Sequence, residues 1–294
     1  MLNSMNRAIK QPNCLFAGQL ISLLLFATSS MADSRTPEAF IDTHLHYNAA
    51  HAAHFDAAEI ITRLQANGVA YGVVTSTPTE HSLALYRESP QRIIPLLGAY
   101  RTLADKSAWL EDNQLVSRLA AQLKQGHWRG IGELHLFASQ RHRPVFRQLI
   151  ELARSHRLPL LLHTDPVVID SVYQQAPELR LIWAHGGTFA YPDLLADYLQ
   201  RYPQLMIDLS VRDTRIAPQG ELDDAWYQLF IQYPDRFLLG VDTFAVARWQ
   251  NYSDALASIR QWLAQLPEEV AQQMAYQNAI KVYDIEKTTH KQAQ

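Results

Sequence analysis

The sequence predicts an α/β protein built as one domain, a (β/α)8 barrel of the TIM type, on three observations. Short apolar runs alternate with stretches of 3.6-residue periodicity eight times along the chain. Two of the later runs, Leu160-Leu161-Leu162 and Phe237-Leu238-Leu239, lack the polar alternation of a half-exposed sheet, as parallel strands covered by helices do. Setting aside an N-terminal leader of 32 residues from the 294 leaves 262, which suits a barrel of about 250 residues.

In order, the first strand is expected at Ala39 to Thr43 and its helix at Ala57 to Asn67, closed by Gly68. A strand at Tyr71 to Thr75, a helix from Thr79 to Arg87, a strand at Arg92 to Ala99 and a helix within Lys106 to Lys124 follow. Pro95 cannot donate to a ladder, so the third strand is either bulged there or shorter than drawn. The remaining strands are expected at Gly130 to Leu134, Leu160 to His163, Leu181 to Ala184, Met206 to Leu209 and Phe237 to Val241. Pro144 and Pro192 stand where a first helical turn tolerates a missing N–H, and Val145, Phe146, Leu149, Ile150 and Ala153 mark one buried helix face.

The leader is residues 1–32. Arg7 and Lys10 precede an apolar run from Leu15 to Ala27, and Ser30 and Ala32 put small side chains before a cleavage point, the layout of a secretory signal peptide. A run of about 13 residues is too short to span a hydrocarbon core of about 30 Å. The expected mature chain, residues 33–294, is periplasmic or secreted and has no stable membrane association. The sequence's one cysteine, Cys14, lies in the leader, so the mature chain carries no disulfide. A net charge of −3 and pI of 6.4 offer no basic surface for nucleic acid, which leaves small molecules as the expected partners.

Chemistry collects at strand ends. In Ile41-Asp42-Thr43-His44-Leu45-His46 the two histidines lie on one face of an extended chain, and paired imidazoles can bind one borderline metal ion. With 12 histidines in 294 residues, chance supplies about 0.5 such pairs, so the strand-end position carries the weight. Glu133 ends the fourth strand, His163 the fifth, His185 the sixth and Asp242 the eighth. Singly, each has an ordinary explanation: a hydrogen-bonded strand-end histidine, a carboxylate paired at the rim, a helix N-cap. Jointly, five strands deliver metal-capable groups where barrel enzymes carry their sites.

These motifs resemble the amidohydrolase superfamily, in the amidohydrolase-related branch that includes aminocarboxymuconate-semialdehyde decarboxylase. The resemblance covers nearly all of the mature chain and includes Asn278-Ala279 near its end. It implies that His44, His46 and Asp242 bind a divalent metal, joined by His163 in a one-metal arrangement. Asp242 would also be the general base, and His185 would hold a second metal or donate to a developing oxyanion. Two-metal members, the TatD-like nucleases among them, carry a bridging glutamate or lysine carbamate at the end of strand four, and Glu133 stands there. The favoured arrangement is two ions, with His44, His46 and Asp242 on one and His163 and His185 on the other; zinc is the expected metal, with manganese or iron as alternatives.

Other residues are assigned less. His135 shares a strand face with Glu133 and either reaches the metal or orients a ligand. His51 and His54 lie in the loop after strand one, as solvated loop or the start of a helix. Arg101, Arg212, Arg248 and Trp249 either line a pocket for an anionic or aromatic substrate or, for the arginines, make ordinary surface pairs. The function expected is hydrolysis of an ester, lactone, amide or related bond by a metal-activated water. The alternatives are a metal-dependent decarboxylase of the same family and an exported metal- or ligand-binding barrel without turnover.

Overall fold

Eight short parallel strands form in the computed structural model, which describes residues 39–285, so the leader lies outside the described residues. They are β1 Phe40–His46, β2 Val69–Thr75, β3 Ile93–Pro95, β4 Ile131–Leu136, β5 Leu160–Thr164, β6 Leu181–Trp183, β7 Leu205–Asp208 and β8 Phe237–Leu238. The ladder runs β1-β2-β3 and β4-β5-β6-β7-β8, every pair parallel. Main-chain hydrogen bonds join the two arcs at both seams: Leu97 N–H to Gly130 O (2.9 Å) and Gly132 N–H to Leu97 O (3.1 Å) on one side, Thr43 N–H to Leu239 O (2.9 Å) and Asp242 N–H to His44 O (2.8 Å) on the other. Each strand leads into helical segments, which gives the expected TIM-barrel order. Among the described residues no helix is long and apolar enough to cross a membrane.

The third strand is the one that most departs from expectation, ending at Pro95 with a single further bridge from Leu97 to Ile131. The missing N–H of proline accounts for the break. Elsewhere local rules hold. Asp56 accepts from Glu59 N–H (2.8 Å) and its own N–H donates to Glu59 Oε2 (2.9 Å), a capping box that starts helix Ala57–Ala66. Helix Pro144–Ser155 buries the predicted face of Val145, Phe146, Leu149, Ile150 and Ala153.

One large core lies between strands and helices, while a smaller one, with Ile41, Val73, Leu161, Ile182 and Leu238, fills the barrel interior. Helix Asn278–Val282 closes the amino end of the barrel, where Asn278 Nδ2 donates to the carbonyls of Pro234 and Phe237, both at 2.9 Å.

Two register shifts decide where the functional side chains point. Three steps along β1, Asp42 to Leu45, face two on β2, Gly72 to Val74, and three on β4, Ile131 to Leu134, face two on β5, Leu160 to Leu162. Ile41 belongs to the interior cluster and Leu45 to the outer one. The extra residue in β1 therefore turns Leu45 outward and the flanking His44 and His46 inward. In β4 both Ile131 and Leu134 face outward, and the shift between them turns Glu133 in.

Gly132 makes the second shift possible. Its φ is +141°, and a Cβ there would lie 2.5 Å from the Leu161 carbonyl oxygen. Gly132→Ala is expected to destabilise the protein by about 2–4 kcal/mol through strain and overpacking. Chemical denaturation checks this; a loss below about 1 kcal/mol would mean that the shift tolerates a side chain.

Candidate metal centre

The structure brings all six predicted residues to the carboxyl end of the barrel. His44 and His46 come from β1 and Glu133 from β4; His163 lies within β5. His185 follows β6 in a short turn, at φ +59°, and Asp242 follows β8 at φ +56°. Left-handed conformations are unfavourable for residues with a Cβ, so surrounding contacts must hold both.

Their polar atoms converge. His44 Nε2 and His46 Nε2 are 3.2 Å apart, and Asp242 Oδ1 lies 3.2 Å from His46 Nε2 and 3.7 Å from His44 Nε2. Glu133 faces two ways: Oε2 lies 3.5 Å from His46 Nε2 and 3.8 Å from His44 Nε2, while Oε1 lies 3.1 Å from His163 Nδ1 and 3.4 Å from His185 Nε2. Donors 2.0–2.1 Å from one tetrahedral ion stand roughly 3.3 Å apart, so these separations suit a shared cation. The buried Asp242 Oδ1 has no well-formed hydrogen bond, an orphaned acceptor that a cation would satisfy. Three triads have ligand atoms mutually within 4.8 Å: His44, His46, Asp242; His44, Glu133, His185; and Glu133, His135, His163. The first matches the predicted set. The pairing of His163 with His185 is not among them, because His163 falls with His135, whose ring stacks on it at 4.6 Å.

Electrostatics favour a cation. Burial works against a charged His44, yet Asp208, Asp242 and Glu133 outweigh it and raise the imidazole well above its ordinary value. Burial likewise opposes ionisation of Glu133 and Asp242. The neighbouring imidazoles, His44 first, reverse that and hold Glu133 well below and Asp242 below the usual carboxylate range. The centre thus favours ionised carboxylates among imidazoles, with His44, His46, Glu133, His185 and Asp242 buried and the His163 side chain partly open to solvent.

Asp208, at the end of β7, and Ser210 were not anticipated from sequence. Asp208 Oδ2 lies 2.7 Å from His44 Nδ1 and accepts from Ser210 Oγ at 2.7 Å; Ser210 Oγ lies 2.8 Å from His185 Nδ1. Each Nδ1 therefore has a partner on the far side of its ring, which leaves Nε2 facing the centre. The signal was a carboxylate ending the apolar run Met206-Ile207. Burial pushes the Asp208 carboxyl up, but His44 outweighs it and holds the group down to about 2.

This shift makes Asp208 stabilising above the ordinary value of 3.8, an effect lost as pH falls toward about 2. Asp208→Asn is therefore expected to flatten the acid-unfolding limb of metal-free protein across that window. It should also weaken zinc affinity about 10–100-fold, as loss of a histidine's carboxylate partner does. Calorimetric zinc titration reads the second effect, and unchanged affinity would deny that Asp208 orients His44.

The remaining candidates divide. His135 Nε2 lies 3.5 Å from Glu133 Oε2, and burial holds its imidazole down to about 4. His51 is buried in a short helix, its Nδ1 accepting from Asn48 N–H at 2.8 Å, whereas His54 is exposed. Arg101 makes the expected surface pair, with Asp105 at 3.5 Å. Arg212 and Arg248 do not; each turns Nε and Nη2 onto main-chain carbonyls. Arg212 donates to the carbonyls of His185 (2.9 Å) and Gly187 (2.8 Å), and Arg248 to those of Val241 and Asp242. Both grip the left-handed turns that carry His185 and Asp242. Trp249, fully buried, donates to His46 O at 2.9 Å and holds the end of β1.

A (β/α)8 barrel with histidines and carboxylates gathered at its carboxyl rim defines a metal-dependent enzyme of the hydrolase type. The sequence profile of the amidohydrolase family matches residues 41–285, and the chain belongs to that family. No curated protein matches the sequence.

Among solved structures, a TatD homologue, YJJV from Escherichia coli, is similar at 18% identity and TM-score 0.60, over 84% of this chain and 98% of that one. A putative 2-pyrone-4,6-dicarboxylic acid hydrolase from Pseudomonas putida is similar at 14% identity and TM-score 0.59, over 85% and 99%. An amidohydrolase from Burkholderia multivorans with bound zinc is similar at 14% identity and TM-score 0.53, over 84% and 100%. These likenesses establish the fold.

Proposed function

We propose that this chain is an exported metal-dependent hydrolase that directs a water onto an ester, lactone, amide or related bond of a small molecule. The observation that carries the proposal is the position of Glu133, whose two oxygens face His44 and His46 on one side and His163 and His185 on the other. Such a carboxylate suits a bridge between two cations. In this reading His44, His46 and Asp242 hold one ion. Glu133 and His163 would hold the second, with His185 or, by the geometry, His135 completing the set. A divalent cation held there would lower the pKa of a bound water to near 7.

The protein's own groups do the rest. Asp242 accepts the proton of the attacking water and returns it to the leaving group. His185, when it holds no metal, donates from Nε2 to the developing oxyanion while Ser210 fixes its Nδ1. Zinc fits the nitrogen and oxygen donors, although such sites discriminate poorly against manganese and iron. Export rests on the leader: basic Arg7 and Lys10, the apolar run and the small residues before Asp33. The decarboxylase reading requires no second ion and leaves the two-sided Glu133 without a role.

Metal-replete protein is expected to hydrolyse members of a panel of activated esters, lactones and amides. It should lose that activity on chelation and regain it with zinc. Silence across the panel, or carbon dioxide release from an aromatic carboxylic acid instead, would contradict the proposal. Amino-terminal sequencing of protein recovered outside the cytoplasm is expected to begin at Asp33.

A further inference from the structure

Large apolar side chains stand exposed around the barrel mouth: Leu103 after β3, Phe137 after β4, Phe189 and Tyr191 after β6, and Phe244 after β8 are each more than half exposed. Such a concentration on loops around one opening calls for an explanation, since scattered apolar residues do not collect there by themselves. Two of them, Leu103 and Phe244, enter the wall of a cavity of about 420 Å³ whose other faces include Ala49, His51, Pro78 and Val246. Its volume falls in the range of small-molecule sites, about 300–1,000 Å³.

Two residues of the cavity wall follow candidate ligands closely along the chain, although no candidate ligand itself lines the cavity. Phe244 is two residues beyond Asp242, and Asn48, also in the wall, is two beyond His46. At about 3.3–3.6 Å per residue, neither Cα can be more than roughly 7 Å from that of its candidate ligand.

Its wall is mostly uncharged, with Arg101 the one guanidinium in it. Arg101, the cation among the lining residues, faces Asp105, which also accepts from the Arg101 N–H and from Thr102. His51 uses Nδ1 to accept from Asn48 N–H. Arg248, in the short helix Val246–Gln250 that follows Phe244, turns Nε and Nη2 back onto the carbonyls of Asp242 and Val241.

We propose that this cavity receives an uncharged aryl or alkyl group of the substrate, of the size of a fused two-ring system, while the scissile bond lies at the metal centre. This rests on the hydrolase reading for the bond, but the pocket is defined by its own walls. The specificity-determining side chains are Phe244 and Leu103, which line it from the loops after β8 and β3.

The test uses 1-naphthol, which has no bond to hydrolyse, titrated by fluorescence into metal-replete protein. Saturable one-to-one binding is expected, weakened at least about fivefold by Phe244→Ser and by Leu103→Ser through lost apolar contact. Phe189→Ser, outside the cavity, is expected to leave it unchanged. Absence of saturable binding, equal affinity in the two cavity variants, or equal weakening by Phe189→Ser would overturn the proposal. So would sedimentation showing a dimer that Phe244→Ser disperses, since the rim would then join two copies. Protein that binds 1-naphthol but hydrolyses nothing rejects the hydrolase reading and keeps the cavity; protein that cleaves small esters without binding 1-naphthol does the reverse.

Discussion

Glu133→Gln is expected to lower bound zinc from two equivalents to one and to cut kcat/KM about a thousandfold. The amide keeps the size and one acceptor oxygen but loses the charge shared between the two sets of imidazoles, so the second ion loses its bridge. Lewis-acid stabilisation by a metal is worth several kcal/mol, and each 1.36 kcal/mol is tenfold in rate. Because Glu133 is buried, with His163 and His185 both against Oε1, the fold must be checked separately. Circular dichroism and thermal unfolding serve for that. Elemental analysis of protein dialysed after metal loading gives the stoichiometry. One equivalent both before and after the substitution would refute the bridge while leaving the first triad intact.

Asp242→Asn should reduce kcat by about 10²–10⁴, the range for removing a general base. KM should change far less, because no substrate-binding role falls on this carboxylate. The substitution retains the left-handed turn, since asparagine tolerates that conformation as aspartate does, so the backbone at φ +56° is not the variable. Steady-state kinetics at saturating zinc separates loss of the base from loss of the ion. A variant with wild-type kcat would remove Asp242 from proton transfer, whatever its part in holding metal.

The sequence exposes these residues because each lies on, or one residue beyond, an apolar run short enough to be a strand and covered enough to lose alternation. His163 after Leu160-Leu161-Leu162 is the plainest instance. The inward aim of His44, His46 and Glu133 was less legible. Alternation places His44 and His46 on one face, but the register shift beside Leu45 decides that the face is the interior. A shift of one residue depends on pairing with β2, which no local pattern announces.

Asp208 was missed for a related reason. Its importance comes from His44, 164 residues earlier in the chain, and a carboxylate ending an apolar run looks the same whether it faces solvent or an imidazole. Arg212 and Arg248 stand where a substrate anion would be met, yet each spends its Nε and Nη2 on main-chain carbonyls. Charge and loop position show that a cation is near the mouth; only the turns at His185 and Asp242 show what it holds. The shortened β3 was foreseeable in kind, because Pro95 lacks a donor, but not in extent.

Anomalous diffraction from crystals grown with zinc, recorded across the zinc edge, tests the central claim most directly. A peak within bonding reach of His44, His46 and Asp242, at about 2.0–2.2 Å from each donor, is the result predicted. A second peak is expected on the far side of Glu133. Zinc-soaked crystals with no anomalous density among these side chains, or with density only at surface histidines, would contradict the metal centre and the hydrolytic function built on it.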